Sequence, residues 1–195
     1  MLSALLELDR GLFRLINGSW THPLADQLFP LFRNAFFWAP VYLFLLFFVT
    51  LNFKKKGWWW CAFFLACFAL TDSISTQVFK ETFQRVRPCV DAFTAADARM
   101  LIPCSKSFGF VSSHATNHFG MAMFIFLTIS SWQISRRWVV FLWAALVSYA
   151  QLYVGAHFPL DILGGALLGI IIGTLMAKAF KKFIGPLIAD SNEFE

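Results

Sequence analysis

Long apolar runs separated by short polar breaks are the first pattern in this chain. A hydrocarbon layer of ~30 Å calls for ~20 mainly apolar residues in a helix. Five stretches have that character: 35–53, 58–79, 115–134, 138–156 and 160–177. Between them lie Lys54-Lys55-Lys56, a polar loop over 80–114, a turn at Arg136-Arg137 and the link His157-Phe158-Pro159. The short links predict antiparallel neighbours packed in one bundle. Gly165, Gly169 and Gly173 recur at four-residue intervals in the fifth stretch. Such a stripe of small residues predicts close helix packing. The run Trp58-Trp59-Trp60 reads as an interfacial belt.

The first 33 residues follow a different pattern. Leu5, Leu8, Leu12, Leu15 and Ile16 fall at helical spacing, with Glu7, Asp9, Arg10 and Arg14 on the other side. This predicts an amphipathic helix lying in the membrane interface and ending at Asn17-Gly18. Charges interrupt the apolar positions, so a secretory signal peptide is not expected. The expected architecture is all-α: a polytopic membrane helical bundle with about five transmembrane helices after an amino-terminal interfacial helix. It divides into an interfacial segment (1–33), a transmembrane domain (34–185) and a cytoplasmic tail (186–195).

Composition sharpens the picture. The chain of 195 residues is 58% hydrophobic and 14% charged, with 25 Phe, against usual values of ~45–50% and ~25%. A soluble globule of this size could not hide so much apolar surface. Disordered, collagen-like and disulfide-scaffold chains need other biases. The net charge of +5 is not a nucleic-acid signature, because the basic residues fall on opposite membrane faces and no nucleic-acid motif is present. The 16 Lys and Arg divide evenly between the two faces of a five-span arrangement. The compact clusters Lys54 to Lys56, Arg136-Arg137, and Lys178 with Lys181 and Lys182 set the cytoplasmic side, since density in short flanking segments orients a chain. The 80–114 loop and the His157 link then face the periplasm or exterior. Cys89 and Cys104 lie in that loop; a bridge closing 15 residues would contribute about 3 kcal/mol and need an oxidising compartment. Two free thiols are the alternative.

Polar groups at one depth of a membrane protein point to function. Lys80 and Arg87 follow the second stretch, Ser112-Ser113-His114 open the third, and His157 with Asp161 stands between the fourth and fifth. The set suits an anionic, oxygen-rich ligand. Lys80 and Arg87 can neutralise phosphoryl oxygens. Ser112 and Ser113 stand where a helix begins, so hydroxyls and free N–H groups form an anion cradle. His157 with Asp161 four positions on is a nucleophile or base with an orienting carboxylate. His114 is then available to protonate a leaving oxygen. Asp72 and His118 are accessory candidates near this level; a helix-to-helix hydrogen bond for Asp72 and an interface role for His118 are the plainer readings. A metal site built from His114, His118, His157 and Asp161 would leave Lys80, Arg87 and Ser112 idle among cations that repel a metal ion.

The sequence resembles the type 2 phosphatidic acid phosphatase family, also called the lipid phosphate phosphatase superfamily. Lys80-x6-Arg87-Pro88 matches its first motif, Ser112-Ser113-His114 matches its second at the Ser and His, and His157-x3-Asp161 matches the third. The third motif's Arg is replaced by Gln151. The resemblance implies a metal-independent lipid phosphate hydrolase without a cofactor, acting on a phosphomonoester or diphosphate. His157 would form a phosphohistidine, Asp161 would support it, and His114 would serve as acid and then base. Lys80, Arg87, Ser112 and the Ser113 backbone would hold the phosphoryl oxygens. Gln151 keeps an N–H₂ donor but no charge, and Arg85 is the nearby candidate to supply the missing cation. Undecaprenyl diphosphate or lipid A is the favoured substrate, at a bacterial inner membrane with the site facing outward. A catalytically silent phospholipid-binding scaffold and a small lipid transporter are the alternatives. The sequence does not determine oligomeric state.

Overall fold

A computed structural model describes residues 2–129 and 134–187. The described residues form helices and connecting loops, with no strand beyond one isolated bridge between Ile129 and Leu187. In order they are α1 (Leu2–Arg14), a wide helical turn (Leu15–Ser19), α2 (Pro23–Phe32), α3 (Ala35–Ser73), a second wide turn (Ile74–Phe79), α4 (Lys80–Phe83), α5 (Ser113–Thr128), α6 (Ile134–Arg137), α7 (Val139–Tyr153) and α8 (Pro159–Phe183). The chain is a helical membrane bundle. All five apolar stretches expected to be helical fall largely on these elements. Two helical segments, Ala35–Phe83 and Pro159–Phe183, are long and apolar enough to cross a membrane by themselves. Helices α5 and α7 are shorter, at 16 and 15 residues. Residues 130–133, part of the third expected stretch, and most of the expected tail lie outside the described residues.

Helix α3 doubles back on itself. Lys54 has φ 48° and ψ −126°, which breaks the helical path at the lysine cluster. Beyond the break, a Cβ on Gly57 would lie 2.3 Å from the Val49 carbonyl oxygen. The Cys61 thiol reaches the Leu46 carbonyl at 3.8 Å. As position rises in the second leg it falls in the first, so the legs are antiparallel. Only a residue without a side chain permits this approach at 57. Trp58 and Trp59 are exposed at the turn, but Trp60 is a core residue. Its indole donates to Thr128 Oγ1 at 2.7 Å and stacks on Phe64, which corrects the belt reading at that position.

The glycine stripe of α8 lies against the backbone of α5. A Cβ on Gly165 would come 2.6 Å from the Ser112 carbonyl oxygen, one on Gly169 2.3 Å from that of Thr116, and one on Gly173 2.3 Å from that of Gly120. Partners advance together by four, so α5 and α8 run parallel and their amino-terminal ends lie side by side. Leu163, Leu167, Ile171 and Leu175 stand exposed on α8. Apolar residues facing outward while glycines face inward is the arrangement of a helix solvated by lipid.

Helix α1 also turns its leucines outward: Leu5, Leu8 and Leu12 are exposed, while Asp9 and Phe13 are buried. Asp9 and Arg10 meet protein instead of water while Glu7 and Arg14 stay exposed, so the interfacial helix is docked on the bundle by part of its polar side. Arg10 pairs with Asp91 at 2.9 Å, and Leu160 N donates to Asp9 at 2.8 Å. Helical hydrogen bonding continues past Asn17-Gly18 to Ser19. The buried Asn17 amide bonds the carbonyls of Arg99 and Tyr153, both at 2.8 Å.

Gly169→Ala is expected to lower stability by about 1–3 kcal/mol, because its methyl meets fixed backbone. Thermal unfolding in detergent measures this; an unchanged midpoint would refute the close packing.

Candidate active site

The ends of α5 and α8 are shaped by their own caps. Ser112 precedes α5 and its hydroxyl accepts from Ala115 N at 3.5 Å. Its N–H donates across to the Asp161 carbonyl at 3.0 Å, tying the two helix starts together. Pro159 opens α8, where no intrahelical N–H is needed. Asp161, two residues later, accepts from Phe158 N at 3.0 Å through Oδ2. The same oxygen lies 3.4 Å from His157 Nδ1. One carboxylate therefore caps a helix and orients an imidazole.

Behind this pair stands an ion network. Arg85 bridges Asp161 Oδ1 at 2.7 Å and Asp9 Oδ2, with its guanidinium over the Phe158 ring. Burial pushes the Asp9 carboxyl above its usual range, against the stabilising hydrogen bond of Arg85. Arg85 is thus committed to the back of the His157 support and is absent from the cavity wall, so it is not the replacement cation suggested by its sequence position.

In front of His157 is a cavity of about 290 Å³, whose lining includes Arg33, Thr76, Lys80, Arg87, His114 and Gln151. Arg87 is held by Ser107 O at 2.7 Å, Ser107 Oγ at 3.0 Å and Ala156 O at 3.0 Å. Its Nη1 lies 3.3 Å from His157 Nε2, so that nitrogen faces the cavity while Nδ1 faces Asp161. Burial depresses the pKa of His157 to about 4, opposed by the Asp161 hydrogen bond. The ring is neutral at pH 7. Lys80 is buried, and its ammonium has no hydrogen-bond or ion-pair partner among the described residues.

Ser113 lines the cavity, and its buried hydroxyl oxygen has no partner among the described residues; Ser112 is fully buried beneath and serves as the cap. Asp72 accepts from Asn117 at 3.0 Å, the structural bond weighed for it above. His118 bonds Tyr42 OH at 3.2 Å and the His114 carbonyl at 2.8 Å. It lines a second, mainly apolar groove of about 400 Å³ between α3 and α5, which shares Ser113 and His114 with the first cavity. Cys89 and Cys104 are joined as a disulfide, and Cys89 lines the cavity. The residues not singled out from sequence are Arg33, Thr76, Ser107 and Asp9. None sits in a motif, and Asp9 was read only as one of the polar residues of the amphipathic helix.

A membrane bundle that turns a carboxylate-backed histidine toward a cation-lined cavity has the parts for phosphoryl transfer. The chain belongs to the PAP2 superfamily, whose family model matches residues 62–184. It is 30% identical over 185 residues to the lipid A 4'-phosphatase of Porphyromonas gingivalis, covering 90% of this chain and 74% of that protein. The lipid A 4'-phosphatase of Bacteroides thetaiotaomicron is 28% identical over 200 residues, covering 98% and 85%. The crystal structure of Aquifex aeolicus LpxE superposes with a TM-score of 0.69 at 28% identity, covering 88% of this chain and 95% of that one.

Two outcomes are expected. Arg85→Ala leaves Asp9 and Asp161 facing each other and should destabilise by about 3–5 kcal/mol, with partial recovery in Asp9→Ala/Arg85→Ala; denaturation of all three forms tests the coupling. In NMR titration the His157 resonance, assigned by its loss in His157→Gln, should titrate near 4; a midpoint near the ordinary imidazole value would contradict the buried, neutral ring.

Proposed function

We propose that this PAP2 lipid phosphatase removes a phosphate from a lipid A-type glycolipid through a phosphohistidine. The observation that carries the reading is the orientation of His157, with Nδ1 toward Asp161 and Nε2 toward the cations of the cavity. A neutral Nε2 carries the lone pair a nucleophile needs, and Nδ1–H donated to Asp161 stabilises the positive ring that forms. Nε2 attacks phosphorus, the bond from phosphorus to the lipid oxygen breaks, and His114, which takes up a proton as the anionic phosphate group settles beside it, protonates that oxygen. His114 then takes a proton from water, which attacks the phosphohistidine and frees phosphate and His157. Lys80 and Arg87 stabilise the charge on the phosphoryl oxygens, with Ser113 as a further donor. No metal takes part in these steps.

The apolar groove that meets the cavity at Ser113 and His114 suits acyl chains entering from the side. The two relatives named as lipid A 4'-phosphatases support the choice of a phosphorylated glycolipid. The lysine cluster at the α3 reversal lies at the opposite end of the bundle from the site, which favours a site facing away from the cytoplasm. The Cys89–Cys104 bridge fits an oxidising compartment. The setting is therefore a bacterial inner membrane with the site on its periplasmic side.

The test is phosphate release by purified protein in detergent with EDTA, wild type beside His157→Ala, on lipid A, undecaprenyl diphosphate, phosphatidic acid and phosphatidylglycerophosphate. Release is expected from lipid A and should vanish in His157→Ala. Preference for undecaprenyl diphosphate would overturn the substrate assignment. Lipid binding with no release from any substrate would favour the scaffold reading.

A further inference from the structure

The cavity contains a cation that lies outside the residues matched by the family model. Arg33 follows the last residue of α2 and stands two positions before α3, in the amino-terminal segment, yet it lines the same cavity as Lys80, Arg87, His114 and His157. Its guanidinium is close enough to Arg87 for the two charges to repel. No carboxylate pairs with it among the described residues. Its hydrogen-bond partner is Gln151, whose Oε1 accepts from Arg33 Nε at 3.4 Å.

Gln151 supplies a second, independent observation. The residue is fully buried and lines the cavity, and its Nε2 has no hydrogen-bond partner among the described residues. A buried amide donor without an acceptor is costly, and so are three cations sharing one small space with no carboxylate on its wall among the described residues. Both costs fall when an anion with several oxygens enters: it neutralises the cations and accepts from the amide.

We propose that Arg33 supplies, from the amino-terminal segment, the phosphoryl-binding cation that position 151 lacks. Gln151 fixes the guanidinium through Oε1 and offers Nε2 to the same phosphoryl group. With Nε engaged on Gln151, both terminal nitrogens of Arg33 are left to meet oxygens, the planar geometry that suits phosphate. The assignment deepens the phosphatase reading and rests on it.

The amino-terminal segment is held where this requires. Tyr153 OH donates to Asp26 at 2.6 Å, and Arg99 pairs with the same carboxylate at 2.7 Å. Asp26 lies on α2, one turn and a half before its end at Phe32. Gln151 and Tyr153 are both at the end of α7. One helix end thus anchors α2 and contacts the arginine that follows it.

The experiment compares wild type, Arg33→Gln, and the relocated cation Arg33→Gln/Gln151→Arg. Two readouts are used: kcat/KM on the preferred lipid, and the binding of orthovanadate followed by thermal shift, which does not require turnover. Arg33→Gln should lower kcat/KM by ~10²–10³, the usual effect of removing one such donor, and weaken vanadate binding. The relocated cation should recover at least about tenfold of that loss. Wild-type kcat/KM and vanadate affinity in Arg33→Gln would overturn the proposal, as would a double variant no better than the single one. If Arg33→Gln does not fold, Arg33→Lys takes its place with the same two readouts, and unaltered vanadate binding and kcat/KM there would count against a planar, two-pronged contact. A wild type that binds vanadate but hydrolyses no lipid overturns the phosphatase reading instead, and loss of that vanadate binding in Arg33→Gln would still support Arg33 as an anion ligand.

Discussion

The backbone-to-backbone contact of α8 with α5 is the constraint on which the site depends. Three glycines at 165, 169 and 173 let α8 lie directly on the carbonyls of α5 in parallel register. With no side chain on the α8 side of the contact, the two helices have little freedom to slide. Their starts are further tied by the bond from Ser112 N to the Asp161 carbonyl. The residues just ahead of and inside those starts, His114 on one and His157 with Asp161 on the other, therefore arrive at one depth without needing contact in sequence. Chemistry at this site is a consequence of helix packing before it is a property of any side chain.

Charge is arranged in two compartments around that packed pair. Behind His157, Arg85 is shared by Asp9 and Asp161, so a cation is balanced by two carboxylates. In front, Arg33, Lys80 and Arg87 face a cavity whose wall has no carboxylate among the described residues. The imidazole sits on the boundary, with one nitrogen toward each side. An ion pair buried behind the histidine contributes orientation, whereas the unbalanced cations in front are poised for a ligand. Arg85 and Arg87 are two residues apart and serve opposite compartments.

That division explains which features were legible in the sequence. The apolar stretches announced the helices by length, and the glycine stripe announced close packing. Lys80, Arg87, His114, His157 and Asp161 stood out because motifs keep them at fixed spacing, and the structure gathers all five. Arg33 and Asp9 did not stand out, since their importance comes from where a distant segment docks, which no local spacing encodes. Arg85 looked like a spare cation for the same reason: neighbourhood in sequence says nothing about which face of a loop a side chain takes. Trp60 was read with Trp58 and Trp59 as one belt, but a helix rotates successive residues by about 100°, so three adjacent tryptophans cannot share one environment. Ser112 was expected as a phosphate donor and is instead the buried cap of α5, with Ser113 taking the cavity wall.

The meeting of the two hollows at Ser113 and His114 also bears on traffic through the protein. One hollow is lined by charge and lies beneath the disulfide-closed loop; the other is apolar and runs between α3 and α5. Under the proposed reaction, cleavage at their junction would create one product that prefers water and one that prefers hydrocarbon. Each would find its own way out, phosphate past the loop and the lipid alcohol sideways into the bilayer. In the proposed sequence the lipid alcohol is freed first and phosphate only after water attacks, so the two products leave in turn and on different sides.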